Sequence, residues 1–159
     1  MNKTAVILAG AVLALLAFPP LAAAGARLDA FERAVIREVN SARAQNGLGP
    51  LKASRPLSRA ADVHTGDMIR RDFFDHTSSD GTSFDQRVRR YARVGLVGET
   101  LASVPAQSGA AARVVQMWLE SPPHRGIVLH SGFTKIGVGK RVGAIGSARS
   151  AVVTADFGG

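Results

Sequence analysis

Apolar positions along this 159-residue chain change their spacing from segment to segment, and each spacing predicts a different element. From Ala5 to Phe18 the run is nearly unbroken, too short and wrongly flanked for a membrane span. Leu28, Phe31, Val35, Val39 and Ala42 then recur at helical spacing. Asp29 with Glu32 three residues later opens that helix as a capping box, and Asn46-Gly47 closes it. A second helix begins near Pro56, a suitable first-turn residue, with Leu57, Ala61, His64 and Met68 on one face. Between Phe73 and Ser83 the residues are Asp, Ser, Thr and Gly in the main, and Asp80-Gly81 signals a turn, so this stretch reads as irregular. Phe84 to Tyr91 reads as a short basic helix.

Gly95 to Val104, apolar and glycine-bearing, reads as a strand. Ser108 is placed to cap a third long helix whose inner face holds Ala111, Val114, Val115 and Trp118. Pro122 disfavours helical geometry at Ser121 and stops that helix. Ser121 then caps a further short helix with Pro122 in its first turn. Phe133 to Val142 and Ala148 to Phe157 are rich in β-branched residues and read as two strands joined by a turn over Gly143 to Ser147. Helices come first and strands close the chain, which predicts an α+β domain with helices packed on a small sheet.

The first residues change how the rest is read. Lys3, the apolar run and the small residues Ala22-Ala23-Ala24 together have the form of a signal peptide over residues 1–24, with 25–159 as one exported domain. The expected destination is the periplasm or the medium. Export permits disulfides, yet the chain has no cysteine. Thiol catalysis, thiolate metal ligands and lipid attachment at an N-terminal cysteine are thereby excluded. Lys and Arg total 20 against 12 acidic residues, and only Lys3 falls in the leader, so the exported domain carries about +7. Arg70-Arg71 and Arg87 to Arg93 are the dense stretches. This charge reads first as a solvated basic face, and for an exported protein an anionic envelope surface is favoured over nucleic acid as a partner. Aromatic residues are sparse and no stacking pattern accompanies the arginine clusters, which argues against nucleic acid.

Three separated stretches carry the chemistry. His76 sits at the mouth of the Ser/Thr/Asp/Gly-rich loop, where local hydrogen bonds can hold an imidazole rigidly. Glu99 lies in an apolar stretch, so its carboxylate is either buried with a partner or placed at a pocket edge. His124 falls in the first turn of the short helix, where the dipole favours the neutral imidazole that binds metal. Two imidazoles and a carboxylate suffice for a metal site, with zinc the ion considered. Glu120 opposes the dipole at the end of its helix. It has three readings: a pair with Arg125, a place in the pocket, or a solvent-facing side chain. His64 reads first as a core histidine and second as a cleft residue. There is no G-x-S-x-G elbow, H-E-x-x-H pair or phosphate-binding glycine loop.

Taken in order, these stretches resemble the CAP superfamily (cysteine-rich secretory proteins, antigen 5 and pathogenesis-related 1; the SCP domain) in its short bacterial form. The similarity runs from Asn40-Ser41-Ala42-Arg43 and Leu48-Gly49-Pro50-Leu51 through His64 with Asp67-Met68 and Phe74-Asp75-His76-Thr77-Ser78. It continues with Gly98-Glu99, Trp118 and Ser121-Pro122-Pro123-His124-Arg125, and closes on Phe133 to Gly139 and Asp156-Phe157-Gly158. The resemblance implies a three-layer α-β-α sandwich with a central antiparallel sheet and a cleft. The family's cleft holds up to two His and two acidic residues. His76, Glu99 and His124 match three, and the fourth position has only Glu120 nearby, displaced by one.

Two functions follow. The first is a monomeric, non-catalytic module binding a lipid, a sterol-like molecule or a cell-wall fragment. The second is a metal-dependent hydrolase in which zinc on His76 and His124 activates water, with Glu99 as ligand or base. The missing nucleophile signatures favour the first. The leader reading carries its own test: the exported protein should begin between Ala22 and Ala26 on N-terminal sequencing, and intact Met1 protein in the membrane would refute it.

Overall fold

A computed structural model of the chain describes residues 28–106 and 111–159. The expected leader over 1–24 and the expected cap Ser108 lie outside the described residues. Five helices, α1 (Ala30–Gln45), α2 (Arg55–Arg71), α3 (Phe84–Tyr91), α4 (Ala111–Glu120) and α5 (Pro122–Val128), pack on four strands. These are β1 (Lys52–Ala53), β2 (Val97–Pro105), β3 (Lys135–Ile145) and β4 (Ala148–Gly158), ordered β1-β3-β4-β2 across one sheet.

The capping box forms as expected at α1: Asp29 accepts from the Glu32 amide and Glu32 accepts from the Asp29 amide. At α5 Ser121 occupies the N-cap position, but its side chain makes no capping bond.

The expected antiparallel sheet is formed by β2, β4 and β3. A two-residue strand joins its edge in the other sense: β1 runs parallel to β3, with Lys52 beside Lys135 and Ala53 beside Ile136. Lys52 and Ser54 donate to the carbonyls of Thr134 and Ile136. A two-residue strand has no alternation to read, which is why the pattern missed it.

The strands' period of two separates the layers. On β4, Ala151, Val153, Ala155 and Phe157 join Ile136, Val138, Trp118 and Val39 in the main core on the α1/α4/α5 side. The intervening Val152 packs with Met68 of α2 and Leu101 of β2, and Thr154 accepts from Thr65 of α2, so that face looks toward α2 and α3. The three layers are therefore α1/α4/α5, sheet, and α2/α3.

Two polar anchors tie the ends of these elements together. Asn40 exchanges both amide bonds with the backbone of Leu51. Arg43, 1% exposed, donates to the carbonyls of Gly49, Val128, His130 and Phe133. Its guanidinium thus fixes the segment that follows α5, satisfying carbonyls that burial would otherwise leave unpaired.

Close approach of α2 to β3 depends on glycine. A Cβ at Gly139 would lie 2.5 Å from the Asp62 nitrogen and 2.7 Å from the Ala61 carbonyl carbon, and one at Gly137 would overlap the Leu57–Ser58 backbone. Backbone cannot move aside as a flexible side chain can. Gly139→Ala should therefore cost at least about 3 kcal/mol, the upper end of ordinary overpacking. Gly126→Ala on α5, where a Cβ would meet nothing within 4 Å, should be neutral or slightly stabilising. Urea denaturation of both variants checks this, and equal stability would refute the close-packing account.

Candidate functional site

Glu99 is the centre of the site. It enters from β2 on the face toward α2 and α3, and its side chain is wholly buried. One carboxylate oxygen accepts from His76 Nδ1 at 2.7 Å, and the other accepts from the Arg87 guanidinium. Arg87 comes from α3, where it shares the inward face with Val88 and is 3% exposed. Its other terminal nitrogen donates to the His76 carbonyl at 3.1 Å and to Ser78 Oγ at 2.8 Å. The loop bearing His76 is thus clamped at both its side chain and its backbone.

Because Nδ1 is the nitrogen facing Glu99, it carries the hydrogen, and Nε2 of His76 is left for the cleft. A carboxylate behind an imidazole fixes the tautomer and orientation that metal-binding histidines use. His124, in the first turn of α5, stands beside it, with ring centres 6.4 Å apart. The two imidazoles differ electrically. The Glu99 hydrogen bond raises the His76 pKa against the opposing effect of burial. Burial lowers that of His124, and the neighbouring His76 lowers it further.

Behind Glu99 stands a carboxyl group that the sequence reading passed over. Asp156 of β4 is the cross-strand partner of Glu99 and is completely buried. Neither of its oxygens has a hydrogen-bond partner by geometry. Burial first, and then the Glu99 charge, raise its pKa well above the usual carboxylate range, which favours its protonated form.

The remaining expected residues stand apart. Glu120 is exposed and turned back along α4, accepting from Gln116 at 2.8 Å and lying 4.0 Å from Arg113 rather than pairing with Arg125. His64 is buried in α2 and donates from Nε2 to the Asp75 carbonyl at 2.8 Å, which holds the start of the His76 loop. Burial lowers its pKa, and the Arg87 charge does so further.

A divalent cation fits this donor set only in part. His76 Nε2 and His124 are suitable ligands, but both Glu99 oxygens are engaged elsewhere. Among the described residues no three His, Asp or Glu side chains are grouped to hold a metal. An ion here would take two protein ligands and leave its other positions to a ligand or water, where it would act as a Lewis acid.

Arg87 and Asp156 were the residues that sequence reasoning missed, and both left a signal. Phe84, Arg87, Val88 and Tyr91 fall on one helical face, which puts an arginine at an inward position. Asp156 interrupts an apolar strand just as Glu99 does.

An α-β-α sandwich with a histidine pair backed by a buried carboxylate defines the class, and comparison with known proteins gives it a family. Residues 36–157 match the CAP model, the Cysteine-rich secretory protein family, and the chain belongs to that family. It is 33% identical over 113 residues to the uncharacterized protein YkwD of Bacillus subtilis (strain 168), covering 70% of this chain and 43% of that protein. The uncharacterized membrane protein YlbC of the same organism is 30% identical over 109 residues, covering 68% and 31%. The chain thus spans less than half the length of either relative. Among solved structures, an extracellular SCP-domain protein of Bacillus anthracis superposes with a TM-score of 0.69 at 24% identity, covering 80% of this chain and 40% of that one. An outer surface protein of Borrelia burgdorferi gives 0.66 at 24% identity, covering 79% and 90%. At this identity the structural likeness shows the fold alone.

The opposite shifts of the two imidazoles generate a pH prediction. In an NMR titration His76 should hold its proton above pH 6.5, the ordinary histidine value, and His124 should lose it below. The His76 pKa is raised in the folded state. Its contribution to stability is therefore full below the unfolded value of about 6.5 and is lost as pH rises through the folded value. The reverse order of titration would refute the Glu99–His76 arrangement.

Proposed function

We propose that this chain is an exported, non-catalytic CAP-domain binding module whose His76–His124 cleft engages an envelope ligand, a lipid or a wall fragment, with a divalent cation such as zinc as an auxiliary. The observation that carries this reading is the engagement of Glu99. A general base must reach the proton it abstracts. Glu99 is buried, and both its oxygens are occupied by His76 and Arg87. Asp156 is deeper still, and burial disfavours its ionised form. Ser78 Oγ already accepts from Arg87, and no base activates it. The cleft therefore offers two imidazoles for binding and no activated nucleophile beside them.

Export rests on the leader-like first residues and agrees with the extracellular and outer-surface descriptions of the two bacterial structures. Among the described residues no helix is long and apolar enough to cross a membrane.

Calorimetric titration with Zn²⁺ tests the cleft. Wild type should bind one ion weakly, as two ligands allow, and His124→Ala should weaken binding at least about tenfold, in line with the loss of a ligand. Binding should strengthen as pH rises, because a proton on His76 competes with the ion. No hydrolysis of ester or peptide probes should accompany zinc loading. Zinc-dependent turnover that disappears in His124→Ala would overturn the non-catalytic reading in favour of the hydrolase.

A further inference from the structure

On the far side of Arg87 from the histidine pair, the C-terminal half of α2, the 78–80 loop and α3 enclose a second cavity of about 290 Å³. That is small for a drug-sized ligand and ample for a phosphate group with a short polyol attached. Four arginines line it, Arg70, Arg71, Arg87 and Arg90, together with two acids, Asp67 and Asp80.

The acids are occupied locally. Asp67 accepts from the backbone and hydroxyl of Ser79, and Asp80 accepts from the Thr82 amide. Arg87 is neutralised by Glu99. Arg70 lies 3.8 Å from Asp67, beyond hydrogen-bonding distance. Among the described residues Arg71 and Arg90 enter no ion pair, and the only hydrogen bond from the Arg90 guanidinium goes to the Thr82 hydroxyl at 3.2 Å. Two guanidinium groups therefore line the cavity outside any ion pair, although Arg90 lies close enough to Asp80 to lower the pKa of that acid.

Two of its lining residues add an independent observation. Arg87 Nε and His64 Nδ1 are both buried without a hydrogen-bond partner, on residues 3% and 0% exposed. Their characters are complementary. Arg87 Nε is a donor. His64 spends its Nε2 hydrogen on the Asp75 carbonyl, which can only accept, so Nδ1 is a bare acceptor. Leaving either group unpaired is costly, and a hydroxyl-bearing oxygen has the character each one lacks, an acceptor for the arginine and a donor for the histidine.

We infer that this cavity is a binding site for a phosphate group, with Arg71 and Arg90 holding the charged oxygens at its mouth and a protonated or hydroxyl oxygen directed at the His64–Arg87 wall. Arginine's planar fork suits phosphate better than a point charge does. The inference goes beyond the cation cleft, which uses His76 and His124, and it names the chemistry of one group of the ligand. The phosphate has two sources, a soluble phosphate ester or a phospholipid headgroup.

The test uses the exported protein with inorganic phosphate, glycerol 3-phosphate, and vesicles of phosphatidylglycerol or phosphatidylcholine. Arg71→Gln/Arg90→Gln removes the mouth. Arg37→Gln/Arg149→Gln removes the same charge from exposed positions outside the cavity, and circular dichroism and thermal melting verify that both fold. Wild type should bind the free anions saturably, with the Arg87 Nε–H resonance shifting on addition. The mouth variant should bind at least tenfold more weakly and the control within twofold. Binding to phosphatidylglycerol vesicles with the same dependence on the mouth assigns the headgroup as source, whereas binding of the free anions alone assigns a soluble ester. Absence of saturable binding, equal losses in the two variants, or an unmoved Arg87 Nε–H signal at saturation would each overturn the site. Zn²⁺ titration of the mouth variant separates this outcome from the cleft, since His76 and His124 are untouched.

Discussion

The buried ion pair between Arg87 and Glu99 is the constraint on which both cavities depend. An isolated charge inside a protein is untenable, and removing one partner of such a pair generally costs about 3–5 kcal/mol. Neither residue is therefore free to change alone. Each uses its remaining capacity to position something else: Glu99 holds His76 Nδ1, and Arg87 holds the His76 carbonyl and Ser78 Oγ. The irregular loop between α2 and α3 has no ladder of its own to fix it. Its geometry comes from this pair, from the His64 bond to Asp75, and from Asp67 beneath Ser79.

Asp156 explains why such a pair is tolerable with a second carboxyl group beside it. If Asp156 were ionised, two negative charges on adjacent strands would face one arginine in a low-dielectric interior. Burial and the Glu99 charge both disfavour its ionised form, which lessens that repulsion. A carboxylic acid without a geometric partner is nonetheless an uncomfortable group to bury. Its position opposite Glu99 in the strand register is fixed by the pairing of β2 with β4, and a one-residue slip would put the two acids on opposite faces of the sheet. The trio thus specifies register as well as charge.

Much of the fold was legible in the sequence because its elements are marked by local chemistry. The capping box at Asp29, the proline at the start of α2, the exact span of α3 and the β-branched closing strands all follow from residues a few positions apart. Less of the site was legible. His76 and Glu99 meet across 23 positions, and spacing alone could suggest but not establish their contact. Arg87 belonged to a stretch whose formal charge made it read as one solvated basic surface. Helical geometry divides that stretch: Arg87 turns inward while Arg89, Arg90 and Arg93 remain exposed. Net charge says nothing about which members of a cluster are already paired, and a buried arginine is invisible to it. Glu120 failed for the opposite reason, since an acid near the right place finds easier partners one helical turn back along its own helix.

Arg87 also joins the two cavities physically. Its terminal nitrogens serve the histidine cleft through Glu99 and the His76 carbonyl, and the same residue lines the arginine-rich cavity. A ligand that draws Nε toward itself acts on the same rigid planar group that positions His76. Coupling between sites requires that each ligand distinguish two arrangements of something shared, and proximity alone does not supply that. Here the shared element is buried on all sides and held by an ion pair, so large displacement is ruled out by the cost of breaking it. What one planar guanidinium can transmit is a small rotation, felt at His76 as a change in hydrogen-bond geometry rather than as opening or closing of the cleft. The two cavities therefore share one stiff spacer, the Arg87 guanidinium, which keeps them at a fixed separation.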